Sequence, residues 1–244
     1  MDEKPRRVRA MFARIAPRYD LLNTLLSAGT HKWWRRTALR ACRLRPGMTA
    51  LDVGAGTGDM AIGMARQVGP QGRVIGVDFC EPMLARGQAK LRARGLEGSV
   101  LLTGGDAQSL PLRDTSVDAA VMAFVLRNVA DVELALCEMA RVVRPGGSVV
   151  VLELGRPRGA LFRAVYETYF HRILPRVAAL LSHKDAYTYL PDSVAAFHSP
   201  EEVAAMMARA GLEEVRFRLL MGGVATLHVG VAGGPTGRRP GIPR

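Results

Sequence analysis

The chain is expected to fold as a doubly wound α/β unit, with a mainly parallel sheet closed by an antiparallel pair at its C-terminal end. Three observations predict this. From residue 49 to residue 152 short apolar runs alternate with stretches of helical periodicity, the pattern of strands joined by crossover helices. A glycine loop, Gly54-Ala55-Gly56-Thr57-Gly58, stands between the first of these strands and its helix, where such folds place a ligand. The last two apolar runs are separated by Gly222-Gly223, a hairpin signal.

Taken in order, Val8, Met11, Phe12 and Ile15 recur at helical spacing and open an N-terminal arm with an amphipathic helix. Residues 21–26 and 33–42 read as further helix, broken around Pro17 and Gly29, and Pro46-Gly47 marks a turn. Strands are expected at 49–53, 73–77, 100–103, 118–124 and 148–152, and helices at 60–68, 81–94 and 132–143. Residues 159–183 interrupt the rhythm as an apolar, aromatic and basic helical insertion. A helix at 201–210 and strands at 215–221 and 224–231 follow. The organisation expected is a basic helical arm over 1–45, a domain over 46–234 with an insertion at about 159–195, and a disordered tail over 235–244.

Composition narrows the function classes. With 244 residues, 48% of them hydrophobic, the chain has material for a real core, and its 26 Gly and 14 Pro follow no period. Fibrous and intrinsically disordered classes are excluded. Cys42, Cys80 and Cys137 form no CxxC pair, and the charged N-terminus leads into no uninterrupted apolar run. A reducing, cytoplasmic setting without a disulfide framework is expected. The longest uncharged run, 219–237, is interrupted by glycines, whereas a membrane-spanning helix needs ~20 mostly apolar residues.

Of the net charge of +12, residues 1–45 carry +9 and the tail from Pro235 carries +3, which leaves 46–234 neutral. Such asymmetry suits nucleic acid, an anionic membrane surface, or merely solvated helices. Trp33 and Trp34 within the basic stretch favour the membrane surface, where aromatic and basic residues combine.

The strongest motif is Leu51-Asp52-Val53-Gly54-Ala55-Gly56-Thr57-Gly58-Asp59. Glycines at 54 and 56 let the backbone turn tightly against a ligand. A dinucleotide fingerprint needs glycine or alanine where Asp59 stands, and no GK[ST] follows as in a P-loop. The carboxylate of Asp52 before the loop suits a ligand with positive charge, and S-adenosyl-L-methionine (SAM) carries an ammonium and a sulfonium. Asp78 ends the second strand, where a carboxylate can accept both ribose hydroxyl protons. Asp106-Ala107 follows the third strand, placed for the adenine amino group. With the terminal antiparallel hairpin, these features resemble the class I SAM-dependent methyltransferase fold.

A closer likeness lies outside the loop. The arm contains Tyr19-Asp20-Leu21-Leu22-Asn23 and Ser27-Ala28-Gly29-Thr30-His31-Lys32-Trp33-Trp34-Arg35. Further blocks are Phe124-Val125-Leu126-Arg127-Asn128-Val129, Arg144-Pro145-Gly146-Gly147 running to Glu153, Tyr187-Thr188-Tyr189-Leu190-Pro191 and Leu227-His228-Val229-Gly230. Together they resemble the UbiE/MenG/COQ5 family of quinone-ring C-methyltransferases, from Val8 to Gly230. The departures are Ala123, Val125 and Gly155, where the family has serine, glycine and serine. Ala123 removes a hydroxyl expected beside the cofactor, and Val125 narrows the same strand end.

The resemblance implies methylation of a ring carbon in a reduced polyprenyl benzoquinol or naphthoquinol, with SAM as donor and no metal. The carbon becomes nucleophilic when the neighbouring phenol ionises, so donor and acceptor must be aligned and water excluded. Arg127 and Asn128 are the expected catalytic residues. Arg127 would stabilise the phenolate, or else cap the strand end or pair with Asp131, and Asn128 would orient a water. Asp52, Gly54, Gly56, Thr57, Asp78, Asp106 and Ala107 are expected to hold SAM. Tyr19, Asp20, His31 and Tyr189 are expected around the substrate and lid. Phe162, Tyr166, Tyr169 and Phe170 of the insertion would line a channel for the isoprenoid tail. The expected partners are a polyprenyl quinol and, transiently, an anionic membrane surface at its cytoplasmic face, and no nucleic acid. Two other readings stay open: a SAM-dependent RNA methyltransferase using the basic arm, and a SAM-binding scaffold without chemistry. Ring type, tail length and oligomeric state stay open as well.

Overall fold

In the computed structural model, residues 3–159 and 185–234 are described. The arm is built from α1 (Glu3–Ile15), a 3-10 turn at Ala16–Arg18, α2 (Tyr19–Leu26) and α3 (Thr30–Ala41). Pro17 therefore tightens the chain rather than breaking it, while Gly29, at φ 77°, makes the turn into α3. Then follow β1 (Thr49–Val53), α4 (Asp59–Val68), β2 (Arg73–Asp78), α5 (Glu81–Arg92), β3 (Val100–Gly104), β4 (Val117–Ala123), α6 (Val132–Val142) and β5 (Val143–Leu154). After the undescribed residues come α7 (Asp185–Ala195), α8 (Pro200–Arg209), β6 (Leu212–Leu220) and β7 (Ala225–Ala232). The proposed channel residues Phe162, Tyr166, Tyr169 and Phe170, and the tail from residue 235, lie outside the described residues.

The seven strands form one sheet in the order β3-β2-β1-β4-β5-β7-β6. The first five pair in parallel, and β7 runs antiparallel to both β5 and β6. The β6–β7 turn is a 3-10 turn, with Gly222 and Gly223 at φ 64° and 105°, backbone that favours glycine. This is the class I methyltransferase fold. Its strands read as apolar runs because helices cover both faces. On one side Trp34, Ala38, Met60, Met64, Leu84 and Leu91 pack against Ala50, Val74 and Val121. On the other, Leu136, Met139, Val203 and Met207 pack against Leu51, Val53 and Met122. Helix α3 thus contributes to the main core, and Trp34, expected at an interface beside Trp33, is buried and lies with its ring centroid 6.1 Å from that of Phe124.

Candidate active site

Strand order turns back between β1 and β4, and the crevice where their carboxyl ends part is the candidate site. The loop after β1 forms its floor. Gly54, Gly56 and Gly58 take φ of 72°, 54° and 79°, in the left-handed region open chiefly to glycine. At Gly54 space is closed too: a Cβ there would stand 2.3 Å from Val125 Cγ2. Val125, one of the departures from the family pattern, packs directly on the glycine loop.

Two adjoining cavities, of about 580 and 500 Å³, open over this floor. Gly54, Asp78, Phe79, Val125 and Asn128 stand in the walls of both. The first runs beneath the arm, past Tyr19, Arg35, Thr57 and Asp59, with Ala123 also in its wall. The second lies against Gly105, Asp106, Ala107 and Gln108. Gly54, Gly56, Thr57, Asp78, Asp106 and Ala107 are therefore brought together, as are Tyr19 and Asn128.

Asp78 accepts from the backbone N–H groups of Gly56 at 2.7 Å and Cys80 at 2.8 Å. Burial raises its pKa, and these N–H groups offset part of that rise. The carboxylate keeps acceptor capacity for a ribose hydroxyl. Asp106 accepts from the Gln108 backbone N–H at 2.9 Å, which fixes the bend beside the second cavity.

Asp52 lies elsewhere. Its side chain is buried beneath the loop, accepts from the Ala61 N–H of α4 at 3.0 Å, and has its pKa pushed up to about 7 by burial. It ties β1 to α4 instead of facing the cavities. The expectation that its charge meets the ligand is corrected, because side chains alternate across a strand and position 52 points under the helix.

The arm is latched to the loop by polar groups. Thr57 Oγ1 donates to Asp20 Oδ1 at 2.7 Å and accepts from Lys90 Nζ at 2.9 Å. Lys90 also pairs with Asp20 at 2.6 Å and Asp59 at 2.8 Å, and Asp59 pairs with Arg35 at 2.6 Å. Burial would raise the pKa of Asp59, but Arg35 and Lys90 outweigh it and hold it below the usual carboxylate range. Lys90 and Arg35 had no assigned role in the sequence, since neither spacing nor composition shows which acids α5 and α3 will face.

His31, expected near the substrate, is buried with Nδ1 2.6 Å from Ser27 Oγ. Burial, with Arg35 and Lys32 nearby, pushes its pKa down to about 4, so it is neutral near pH 7 and braces the α2–α3 turn.

Of the roles considered for Arg127, the structure displays the strand-end contact rather than one with the cavities. Its Nη1 donates to Glu153 Oε1 at 2.6 Å and to the Phe124 carbonyl at 2.8 Å. Asp131, the partner considered for it, instead caps α6 by accepting from the Leu134 N–H. The guanidinium lies outside the described walls of both cavities, and Glu153 compensates its charge. Phe124, held in this way, has φ 63°, a strained conformation for an aromatic residue. Asn128, next in the chain, does reach the cavities, and its Oδ1 accepts from the Tyr189 hydroxyl of α7 at 2.9 Å. Burial raises the pKa of that phenol, so Tyr189 stays a donor.

These residues fit SAM. Arg35 stands in the first cavity wall with its Nε buried and without a hydrogen-bond partner among the described residues, a donor left for a carboxylate such as that of the methionine half. Asp78 offers an acceptor to a ribose hydroxyl, and the second cavity offers Asp106 to the adenine amino group.

The ubiE/COQ5 methyltransferase family profile matches residues 1–232. The "Ubiquinone/menaquinone biosynthesis C-methyltransferase UbiE" of Geobacter sulfurreducens is 43% identical over 233 residues, 96% of this chain and 91% of that protein. The "Demethylmenaquinone methyltransferase" of Thermus thermophilus is 48% identical over 221 residues, 90% of this chain and 99% of that protein. Among solved structures, a SAM-dependent methyltransferase from Aquifex aeolicus superposes with a TM-score of 0.59 at 22% identity, over 81% of this chain and 89% of its own.

Proposed function

This chain belongs to the ubiE/COQ5 methyltransferase family and is a SAM-dependent C-methyltransferase of quinone biosynthesis, and we propose that its acceptor is a demethylmenaquinol or a demethylated ubiquinol precursor carrying a polyprenyl tail. The observation that carries this reading is the placing of Asn128, whose Oδ1 accepts from the Tyr189 hydroxyl, in the wall of the cavity that also holds Arg35, Asp78 and the glycine loop.

SAM supplies an electrophilic methyl group on a sulfonium. Arg35 would take its carboxylate, Asp78 its ribose and Asp106 with Ala107 its adenine, above the backbone of Gly54, Gly56 and Thr57. Asn128 and the protonated Tyr189 hydroxyl would receive the phenol and orient its ring, with the ortho carbon toward the methyl group. Phe12, Phe79 and Met83 in the cavity wall would exclude water from the transfer. Arg127 acts here as a positioning residue: locked on Glu153 and the Phe124 carbonyl, it fixes the turn that presents Asn128. A prenyl tail holds the acceptor in a bilayer, so the enzyme is proposed to work as a peripheral visitor to the cytoplasmic membrane surface.

The test is methyl transfer from labelled SAM to reduced demethylmenaquinone, the reduced demethylated ubiquinone precursor and bulk RNA. Label in a quinol is the expected result and identifies the ring. Label in RNA alone overturns the acceptor assignment.

A further inference from the structure

The outer side of the arm carries a surface that the reaction does not use. Large apolar side chains are exposed at five described positions, and three of them, Leu21 at 52%, Leu25 at 43% and Trp33 at 47%, belong to the α2–α3 hairpin. The other two, Leu101 and Met221, stand apart on β3 and at the β6–β7 turn. At about 100° per residue, Leu21 and Leu25 share one side of α2, opposite Tyr19, which lines the first cavity. Helix α3 divides in the same way. His31, Trp34, Ala38 and Leu39 turn into the protein, while Lys32, Trp33, Arg36 and Arg40 are exposed on one outer arc. Among the described residues, Lys32, Arg36 and Arg40 have no ion-pair partner, unlike Arg35 on the inner face with Asp59.

Exposed leucines on α2, and on α3 an exposed tryptophan on the same arc as three cations that have no ion-pair partner among the described residues, match an anionic phospholipid surface, with side chains for the acyl boundary and charge for the headgroups. RNA would use the cations but leaves Leu21 and Leu25 without a purpose. We propose that the outward face of the α2–α3 hairpin docks the enzyme on an anionic bilayer, with Leu21, Leu25 and Trp33 inserted and Lys32, Arg36 and Arg40 on the headgroups. This rests on the reading of a prenylated quinol as acceptor. Tyr19 and Arg35 of the same hairpin stand in the first cavity's wall, so docking would bring the active site close to the layer that holds the acceptor.

The test is co-sedimentation of the full chain with vesicles of phosphatidylcholine, alone or with phosphatidylglycerol, alongside methyl transfer to a short-tailed, water-soluble quinol. The wild type is expected to pellet with the anionic vesicles, less so at high salt, and its tryptophan emission to shift blue, reporting Trp33 because Trp34 is already buried. The Leu21→Ser/Leu25→Ser/Trp33→Ser variant should stay in the supernatant while binding SAM normally by calorimetry, which separates lost docking from lost folding. Arg36→Gln/Arg40→Gln should weaken vesicle affinity roughly thirtyfold. Both variants should keep wild-type turnover on the water-soluble quinol. Wild-type protein that ignores anionic vesicles, binds RNA in their place, or pellets equally well after these substitutions overturns the docking surface. Wild-type failure on every quinol is a separate result: it overturns the acceptor reading, and the inference that rests on it.

Discussion

Arg127 and Glu153 bind each other twice: the guanidinium Nη1 lies 2.6 Å from Glu153 Oε1, and the Arg127 backbone N–H donates to Oε2 at 3.2 Å. Their side chains are only 7% and 3% exposed. The pair joins the turn after β4 to the end of β5, and with the Phe124 carbonyl it fixes the backbone that carries Asn128.

Removing one partner leaves a buried charge uncompensated. Glu153→Ala is expected to destabilise the protein by about 3–5 kcal/mol, measured by urea unfolding. Unchanged stability would show that the pair carries no structural load. Arg127→Ala should lower turnover while leaving SAM affinity near wild type, since Arg127 lies outside the described cavity walls.

The arm latch is expected to govern cofactor affinity. Lys90→Met and Asp20→Asn should each weaken SAM binding by roughly fivefold, the size of a partly exposed ion pair. The double variant should be little worse than either, because the two groups act on each other. Calorimetry at low and high salt checks this; additive losses would mean that the two residues act separately.

His31 has a folded-state pKa of about 4, below its ordinary value of about 6.5. The unfolded chain therefore binds this proton more readily, and folding stability falls as pH drops from about 6.5 towards about 4. His31→Gln should flatten that fall by close to one proton. Unfolding titrations between these limits would expose the error if the two proteins lost stability in parallel.

Asp52 has the opposite sign. Its pKa is pushed up to about 7, so the stability associated with its neutral form is full below about 4 and fades as pH rises through about 7. Asp52→Asn keeps an acceptor for the Ala61 N–H and should gain on the wild type across that interval. A stability difference independent of pH would contradict the assignment.

Gly54→Ala combines positive φ with a clash against Val125, and loss of SAM binding is expected. Adding Val125→Gly removes the clash but not the backbone strain of about 1–2 kcal/mol. Partial recovery of SAM affinity in the double variant is the expected calorimetric result; no recovery would place the whole effect in the backbone.

The sequence by itself determined the order of strands and helices, the glycine loop, the acids that end β2 and follow β3, and the closing hairpin. These are local signals: periodicity of two or 3.6 residues, and backbone angles open mainly to glycine. Tertiary structure decided which side chains meet. Trp33 and Trp34 are neighbours in one basic stretch, yet α3 turns the first outward and the second onto Phe124. Arg127 finds Glu153 because β4 and β5 pair with Ala123 opposite Leu152, which brings two distant segments to one strand end. Asp20 and Lys90 meet only when the arm folds across the carboxyl edge of the sheet. Such partners depend on strand register and helix rotation, which the packing of the whole core sets and no local window of sequence contains.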